Sequence, residues 1–245
     1  MKRRSFLAGT SLSVVGVAGC LDNSMNNDTE KEGTMEYEEC TSMMIPMDNV
    51  PEEVEKEVTT ALEEGSYETD GDLYLTDIMD PESSYLKSGV PEYGTGGRYY
   101  QPVIEASNGT MRLRMEEAIP KTDRSIPLSN LSERNLSETD ISVSVRVTFE
   151  PYSETFDNEV IIDSDFEVST EQGATLVEEP KYGFYSAEIE YKSEKKIVEQ
   201  EWEVHEGVNP TLYIVDEFDE KEPFVETSPA SIRYCEWDES GELLY

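Results

Sequence analysis

Cysteine is the residue type with the most chemistry open to it in this chain, and it occurs at positions 20, 40 and 235. A thiolate can accept a lipid, ligate a metal or oxidise to a disulfide. The other catalytic residue types are poorly placed. His205 is the single histidine, and no G-x-S-x-G, H-E-x-x-H or C-x-x-C pattern accompanies it. At a strand end it reads as structural or exposed. A carboxylate pair for glycoside hydrolysis cannot be singled out among 55 acidic residues. Asp70-Gly71-Asp72 and Asp163-Ser164-Asp165 offer oxygen ligands for Ca²⁺. Neither continues into EF-hand spacing, so both read as solvated turns. The amides of Gly94-Thr95-Gly96-Gly97-Arg98 would cradle an anion, but a flexible loop is the simpler reading. The expectation is therefore a non-enzymatic protein without a metal or cofactor.

The setting of Cys20 gives it a specific role. Lys2, Arg3 and Arg4 make a basic start, followed by Ser5 and a weakly apolar stretch from Phe6 to Ala18. That stretch is too short to span a bilayer, which takes about 20 helical residues. A basic region, a short apolar region and small residues before a cleavage point are the layout of a removable signal. Arg3-Arg4 with the residues after it is similar to the twin-arginine export signal. Val17-Ala18-Gly19-Cys20 resembles the lipobox of bacterial and archaeal lipoproteins, which implies a diacylglyceryl-type lipid on the Cys20 thiol. Two acyl chains on one residue suffice for stable anchoring, since each buried CH₂ contributes ~0.8 kcal/mol. Residues 1–19 are thus expected to be a signal peptide. Residues 20–35, polar and without periodicity, are expected to be a lipidated tether.

With Cys20 assigned to lipid, Cys40 and Cys235 remain, an even pair in an oxidising compartment. A disulfide between them would tie the start of the mature fold to its end. The alternatives are two free buried thiols or a metal site, for which two cysteines without a nearby histidine are too few. The sequons at Asn27, Asn108, Asn130 and Asn135 fit N-glycosylation of an exported protein. Those at Asn130 and Asn135 lie in an expected interdomain linker and are the accessible ones.

Charge describes the solvent. The chain carries 19 basic and 55 acidic residues, a net −36. Loss of Lys2, Arg3 and Arg4 with the signal leaves 16 against 55, or −39. A small soluble domain usually carries a magnitude of roughly 2 to 8. Strong salt makes such a charge tolerable, because the Debye length is ~10 Å at 0.1 M but only ~3 Å at 1 M. With 14 Tyr, 7 Phe and 2 Trp there is too much core material for a disordered acidic tail. The acids therefore read as a solvated halophilic surface, and nucleic acid is excluded as a partner.

The elements that must position these residues are mainly strands. One helix is predicted from Pro51, with Glu52 and Glu53 in its first turn. Val54, Val58, Ala61 and Leu62 share a face, and Gly65 closes it. Its predicted sheet partners are Leu73-Tyr74-Leu75 and a hairpin, Tyr99 to Ala106 and Thr110 to Met115, turning at Asn108-Gly109. Pro102 places the first arm at an edge or bulge. Asp80 to Gly97 reads as a long loop, and residues 36–120 as a small α+β unit. From Ile141 the pattern is strands alone: Ile141 to Phe149, Asn158 to Ile162, Phe166 to Ser169, Tyr185 to Tyr191, Ile197 to Val204 and Leu212 to Val215. This spacing is the signature of a β-sandwich. Tyr185 to Tyr191, followed by a strand carrying Trp202 as a core residue, resembles the immunoglobulin-like modules of haloarchaeal surface lipoproteins, over Leu128 to Glu217. Ile232 to Trp237, a turn at Asp238 to Gly241 and Leu243 to Tyr245 predict a last hairpin, so that residues 128–245 form a sandwich with a C-terminal hairpin.

The expected whole is a mainly β, lipid-anchored protein on the outer face of the cell membrane. It would serve as a recognition or spacer module toward an envelope protein or ligand of unknown identity. The alternative, the substrate-binding subunit of an importer, typically needs two α/β lobes, and one good helix is too few. The charge carries a prediction. A compact body at −39 brings like charges closer than an open chain does, so the denaturant midpoint should rise steeply as NaCl is raised from millimolar to molar. A midpoint flat with salt would overturn the halophilic reading; rescue at low ionic strength by millimolar calcium alone would assign the effect to a bound cation.

Overall fold

The protein is described from a computed structural model, which covers residues 36–89, 97–130, 140–169, 173–193, 196–215, 222–229, 232 and 234–244. It is mainly β, with a small helical complement near its N-terminal end. Residues 35–245 form one compact unit.

The first part is a five-stranded sheet in the order β1-β3-β4-β5-β2. Its strands are β1 (Met44–Pro46), β2 (Tyr67–Thr69), β3 (Tyr85–Ser88), β4 (Arg98–Ser107) and β5 (Thr110–Ala118). Helix α1 (Glu52–Glu64) forms as predicted. Val54, Val58 and Ala61 are buried, and Gly65 ends the helix with a φ of 85°, the left-handed geometry that glycine adopts without a steric penalty. The β4–β5 hairpin turns at Asn108 and Gly109, whose φ values of 52° and 86° match a two-residue turn with both central residues left-handed.

Strand alternation gives this sheet two different faces. Ile45, Leu86 and Leu113 pack with α1 in one core, whereas Met44, Tyr85 and Tyr99 belong to the core of the second part. The sheet is therefore a middle layer, with a helix on one side and the sandwich on the other.

The second part is a sandwich of two four-stranded sheets, β11-β10-β7-β8 and β13-β12-β6-β9. In chain order its strands are β6 (Ile126–Asn130), β7 (Ile141–Pro151), β8 (Glu159–Val168), β9 (Ala174–Val177), β10 (Gly183–Tyr191), β11 (Lys196–Val204), β12 (Val208–Ile214) and β13 (Phe224–Pro229). One core joins the sheets: Val143, Val145, Val147 and Phe149 of β7 and Ile189 of β10 meet Leu128, Leu176, Leu212 and Ile214. Pairing is antiparallel except for β6–β12 here and β1–β3 in the first sheet. Trp202 is a core residue, 7% exposed and stacked on Tyr185.

Several local expectations are corrected. Leu73-Tyr74-Leu75 is not a strand but leads into a short helix, α2 (Leu75–Ile78). The cause is Glu57, buried on α1, whose two carboxylate oxygens accept the Tyr74 and Leu75 amides at 3.0 Å each. Burial raises the pKa of that carboxyl, against the opposing effect of the two amides. The stretch from Asp80 to Gly97 is not all loop, because it contains β3. The runs at Asn158 to Ile162 and Phe166 to Ser169 belong to one strand, β8, whose register shift lies opposite Val147 and Thr148. Asp163-Ser164-Asp165 is therefore strand and not turn. Pro102 sits in an interior strand, but β3 pairs only with Arg98 to Tyr100, so the missing Pro102 amide falls beyond the end of that ladder. The sequence pattern does not single out β1, β2, β6, β9 or β13, and Asn130, expected in an interdomain linker, instead ends β6 inside the second sheet of the sandwich.

Two links hold the chain closed. Cys40 and Cys235 are joined by a disulfide with a Cα–Cα distance of 6.0 Å, across a sequence separation of 195. A loop that long corresponds to ~5 kcal/mol in the chain-entropy account. Beside it the last hairpin docks on the first part: the Trp237 indole donates to the Glu38 carbonyl at 2.7 Å and Glu38 N–H donates to the Gly241 carbonyl at 2.9 Å.

The second link is ionic. Lys87 shares the sandwich-facing side of the first sheet with Tyr99, its directly paired neighbour. Its ammonium lies 2.6 Å from Glu206 Oε1, with side-chain exposures of 2% and 8%. Tyr234 OH donates to the same oxygen at 2.9 Å, and Tyr99 OH to Oε2 at 3.2 Å. Burial alone would raise the Glu206 pKa, but Lys87, the residue's own amide and Tyr234 together hold it below the ordinary carboxylate value. The pair thus contributes stability above the ordinary carboxylate range and loses it as pH falls through the depressed pKa. Lys87→Met, which strands the carboxylate, should cost about 3–5 kcal/mol, whereas Lys87→Met with Glu206→Leu should recover most of the loss. Chemical denaturation at neutral pH checks both; a double variant no better than the single one would mean that the ion pair is not the joint.

Candidate binding cleft

The outer face of the β11-β10-β7-β8 sheet carries a cavity of about 490 Å³. Its floor follows from register. Phe184 on β10 lies directly between Glu150 on β7 and Glu203 on β11, and Ser186 lies between Thr148 and Glu201. Adjacent strands are about 4.8 Å apart and same-face rows about 7 Å apart, so six side chains make a small grid. The hollow forms because Thr148 and Ser186 are short while Phe184 and the glutamates are long. Just before Phe184, Gly183 lets β10 and β7 approach: a Cβ there would lie 2.6 Å from the Glu150 carbonyl oxygen and 2.6 Å from the Phe149 ring.

Phe184 is 44% exposed, on a face that also exposes Val160 of β8 and Ile197 of β11. The Tyr152 ring packs against it at 5.1 Å with an interplanar angle of 82°. Tyr152 OH donates to Glu203 at 2.6 Å and shares its proton with the Val204 carbonyl at 2.9 Å. Burial, then the bond to Glu203, raises its pKa well above an ordinary phenol. Glu203 and Phe184 are thus both fixed by one tyrosine, while Glu150 and Glu201 have no ion-pair or side-chain hydrogen-bond partner among the described residues. Trp202, between Glu201 and Glu203, turns its ring to the sandwich core, where its buried Nε1 has no partner among the described residues.

The residues singled out from sequence lie elsewhere. Arg3, Arg4, Cys20, Asn27 and Asn135 are outside the described residues, as is most of the glycine-rich segment from Gly94. Asn108 is exposed at a hairpin tip. Asn130 ends β6, half-buried, with its side-chain amide donating to the Val168 carbonyl at 3.3 Å, so a glycan there would leave that nitrogen a single N–H for the bond. His205 Nδ1 accepts the Gly207 amide at 3.1 Å and shapes the turn after β11. Asp70 accepts a bond from Thr110, and Asp163 and Asp165 pair with Arg146 and Lys192. Among the described residues no group of three or more His, Cys, Asp or Glu is arranged to hold a metal ion, and no helix is long and apolar enough to cross a membrane.

The sequence pattern does not show the cleft, because the alternation read from Tyr185 omits Gly183 and Phe184, the first two residues of β10. Phe184-Tyr185 is a pair of adjacent aromatics inside an alternating strand, and alternation requires that one of them face outward. Compared with protein-family models, curated proteins and solved structures, the chain matches none of them.

Tyr152 is the residue whose loss should be felt on both sides of the sheet edge. Tyr152→Phe keeps the ring contact with Phe184 and removes both hydrogen bonds, an expected cost of about 1–2 kcal/mol; Tyr152→Ala, which also empties the ring volume, should cost about 3–5 kcal/mol. Denaturant midpoints of the two variants against wild type measure this, and equal effects would mean that the hydroxyl contributes nothing.

Proposed function

We propose that the chain is an extracellular lipoprotein, exported by the twin-arginine route, anchored through Cys20 and acting as a non-enzymatic recognition module whose binding surface is the cleft around Phe184. The observation that supports recognition is an aromatic ring left 44% exposed between two carboxylates, above a cavity of ligand size. A mere spacer gains nothing from an exposed phenylalanine. The Cys40–Cys235 bridge agrees with an oxidising compartment, and Val17-Ala18-Gly19-Cys20 with lipidation. A cleft on one sheet face, and not between two α/β lobes, favours the module over an importer's binding subunit. An acidic surface of this density suits an exterior rich in salt.

Detergent phase partitioning in the native cells tests the address. The wild-type chain should enter the detergent phase as a processed, lipid-bearing product. Cys20→Ser should remain at precursor mass or be released into the aqueous phase; a variant that partitions and is processed like wild type would overturn the anchor.

A further inference from the structure

We infer that the cleft takes a small organic cation with an apolar flank, a guanidinium or alkylammonium group, in preference to a neutral sugar, an anion or a metal ion. The inference deepens the recognition reading and rests on it.

Charge complementarity carries the argument. Three of the lining residues are carboxylates, Glu150, Glu201 and Glu203, and no lining residue is basic. Among the described residues, Arg146 and Lys192 of the same sheet are engaged elsewhere, with Asp163 and Asp165. A neutral ligand seated here would strip water from Glu150 and Glu201 without compensating their charge. An anion would meet three like charges. The acids also fail to converge as a metal site does, since they are distributed over two strands and two rows and make no metal-holding group among the described residues. An extended or diffuse cation suits that spread better than a point charge.

The apolar flank follows from Phe184. Ammonium and guanidinium groups are attracted to an aromatic face within about 6 Å of its centroid, and guanidinium combines such stacking with paired hydrogen bonds to carboxylate oxygens. Val160, paired with Thr148 across β7–β8 and 47% exposed, extends the apolar border on the other side. The hydroxyls of Thr148 and Ser186 supply acceptors between the two.

Calorimetric titration of the full-length chain in detergent, at fixed ionic strength, tests this with butylguanidinium and its uncharged isostere butylurea, and with glucose. Butylguanidinium should bind saturably, and butylurea at least about tenfold more weakly. Phe184→Ala and Glu150→Gln should each weaken butylguanidinium about fivefold. Their thermal midpoints should stay at or above wild type for Glu150→Gln, which removes one unpaired charge. Glucose or butylurea binding as tightly as the cation, with loss in Phe184→Ala, would overturn the cation assignment and leave the recognition reading standing. Silence toward all three probes would overturn both.

Discussion

A lysine and a glutamate removed from water at the joint between sheet and sandwich are the constraint on which the rest of the arrangement depends. Burying either alone would cost several kcal/mol. Together, with Tyr99 and Tyr234 supplying hydroxyls to the same carboxylate, Lys87 and Glu206 are tolerated only while the first sheet and the sandwich keep one relative placement. Apolar contact between Met44, Tyr85, Tyr99 and the sandwich core supplies area but little direction. The ion pair supplies direction. The disulfide from Cys40 to Cys235 and the hairpin carrying Trp237 then secure the same placement from the opposite side of the first sheet.

The cleft is connected to that joint through aromatic contacts. Tyr152 touches Phe184 and Glu203 on one side and lies 6.2 Å from the Tyr99 ring on the other. Tyr99 packs in turn on Tyr182 and bonds Glu206. Burial, first of all, holds the Tyr99 and Tyr182 hydroxyls protonated well above the ordinary phenol value, with Glu206 adding to the effect. These phenols therefore remain donors or neutral packing groups at neutral pH. On the proposed recognition reading, a cleft braced by such groups is preformed, so a ligand does not have to pay for its ordering.

How much of this could be read in advance depended on whether a local pattern was left undisturbed. Val54, Val58 and Ala61 at helical spacing, and Asn108-Gly109 between two alternating runs, led to α1 and the β4–β5 hairpin because propensity, pattern and packing agree there. The alternation from Ile141 and from Tyr185 gave the sandwich for the same reason. Readings failed where a distant polar partner overrode the local one. Leu73 to Leu75 has strand-like residues, yet Glu57 on α1 captures their amides and turns the chain into α2. The stretch from Asp80 to Gly97 reads as loop, yet Lys87 within it lies in β3 and Glu206 draws it into the interior. Neither partner is near in sequence, so no window could have contained it. The cleft failed differently. Its row of Glu150, Phe184 and Glu203 exists only once three strands are in register, although the doubled aromatic at 184 and 185 was a local sign that something apolar must face out.

On the proposed reading, an extracellular recognition module in strong salt, salt decides which parts of such a surface can still recognise a ligand. At about 1 M the Debye length is ~3 Å, so attraction between separated charges is gone and only groups in contact interact. The general acidity of the chain then serves hydration and solubility and steers nothing. Under those conditions a binding surface needs carboxylates held where a ligand's charge will touch them, beside an apolar surface whose contribution does not fade with screening. Glu203, fixed by the Tyr152 hydroxyl, and Phe184, fixed by the Tyr152 ring, meet both requirements within one row of the sheet. The remaining acids on that face are mostly paired or simply solvated. What distinguishes the cleft from its surroundings is therefore not its charge, which it shares with most of the surface, but the aromatic ring set among the charges and the tyrosine that keeps both in place.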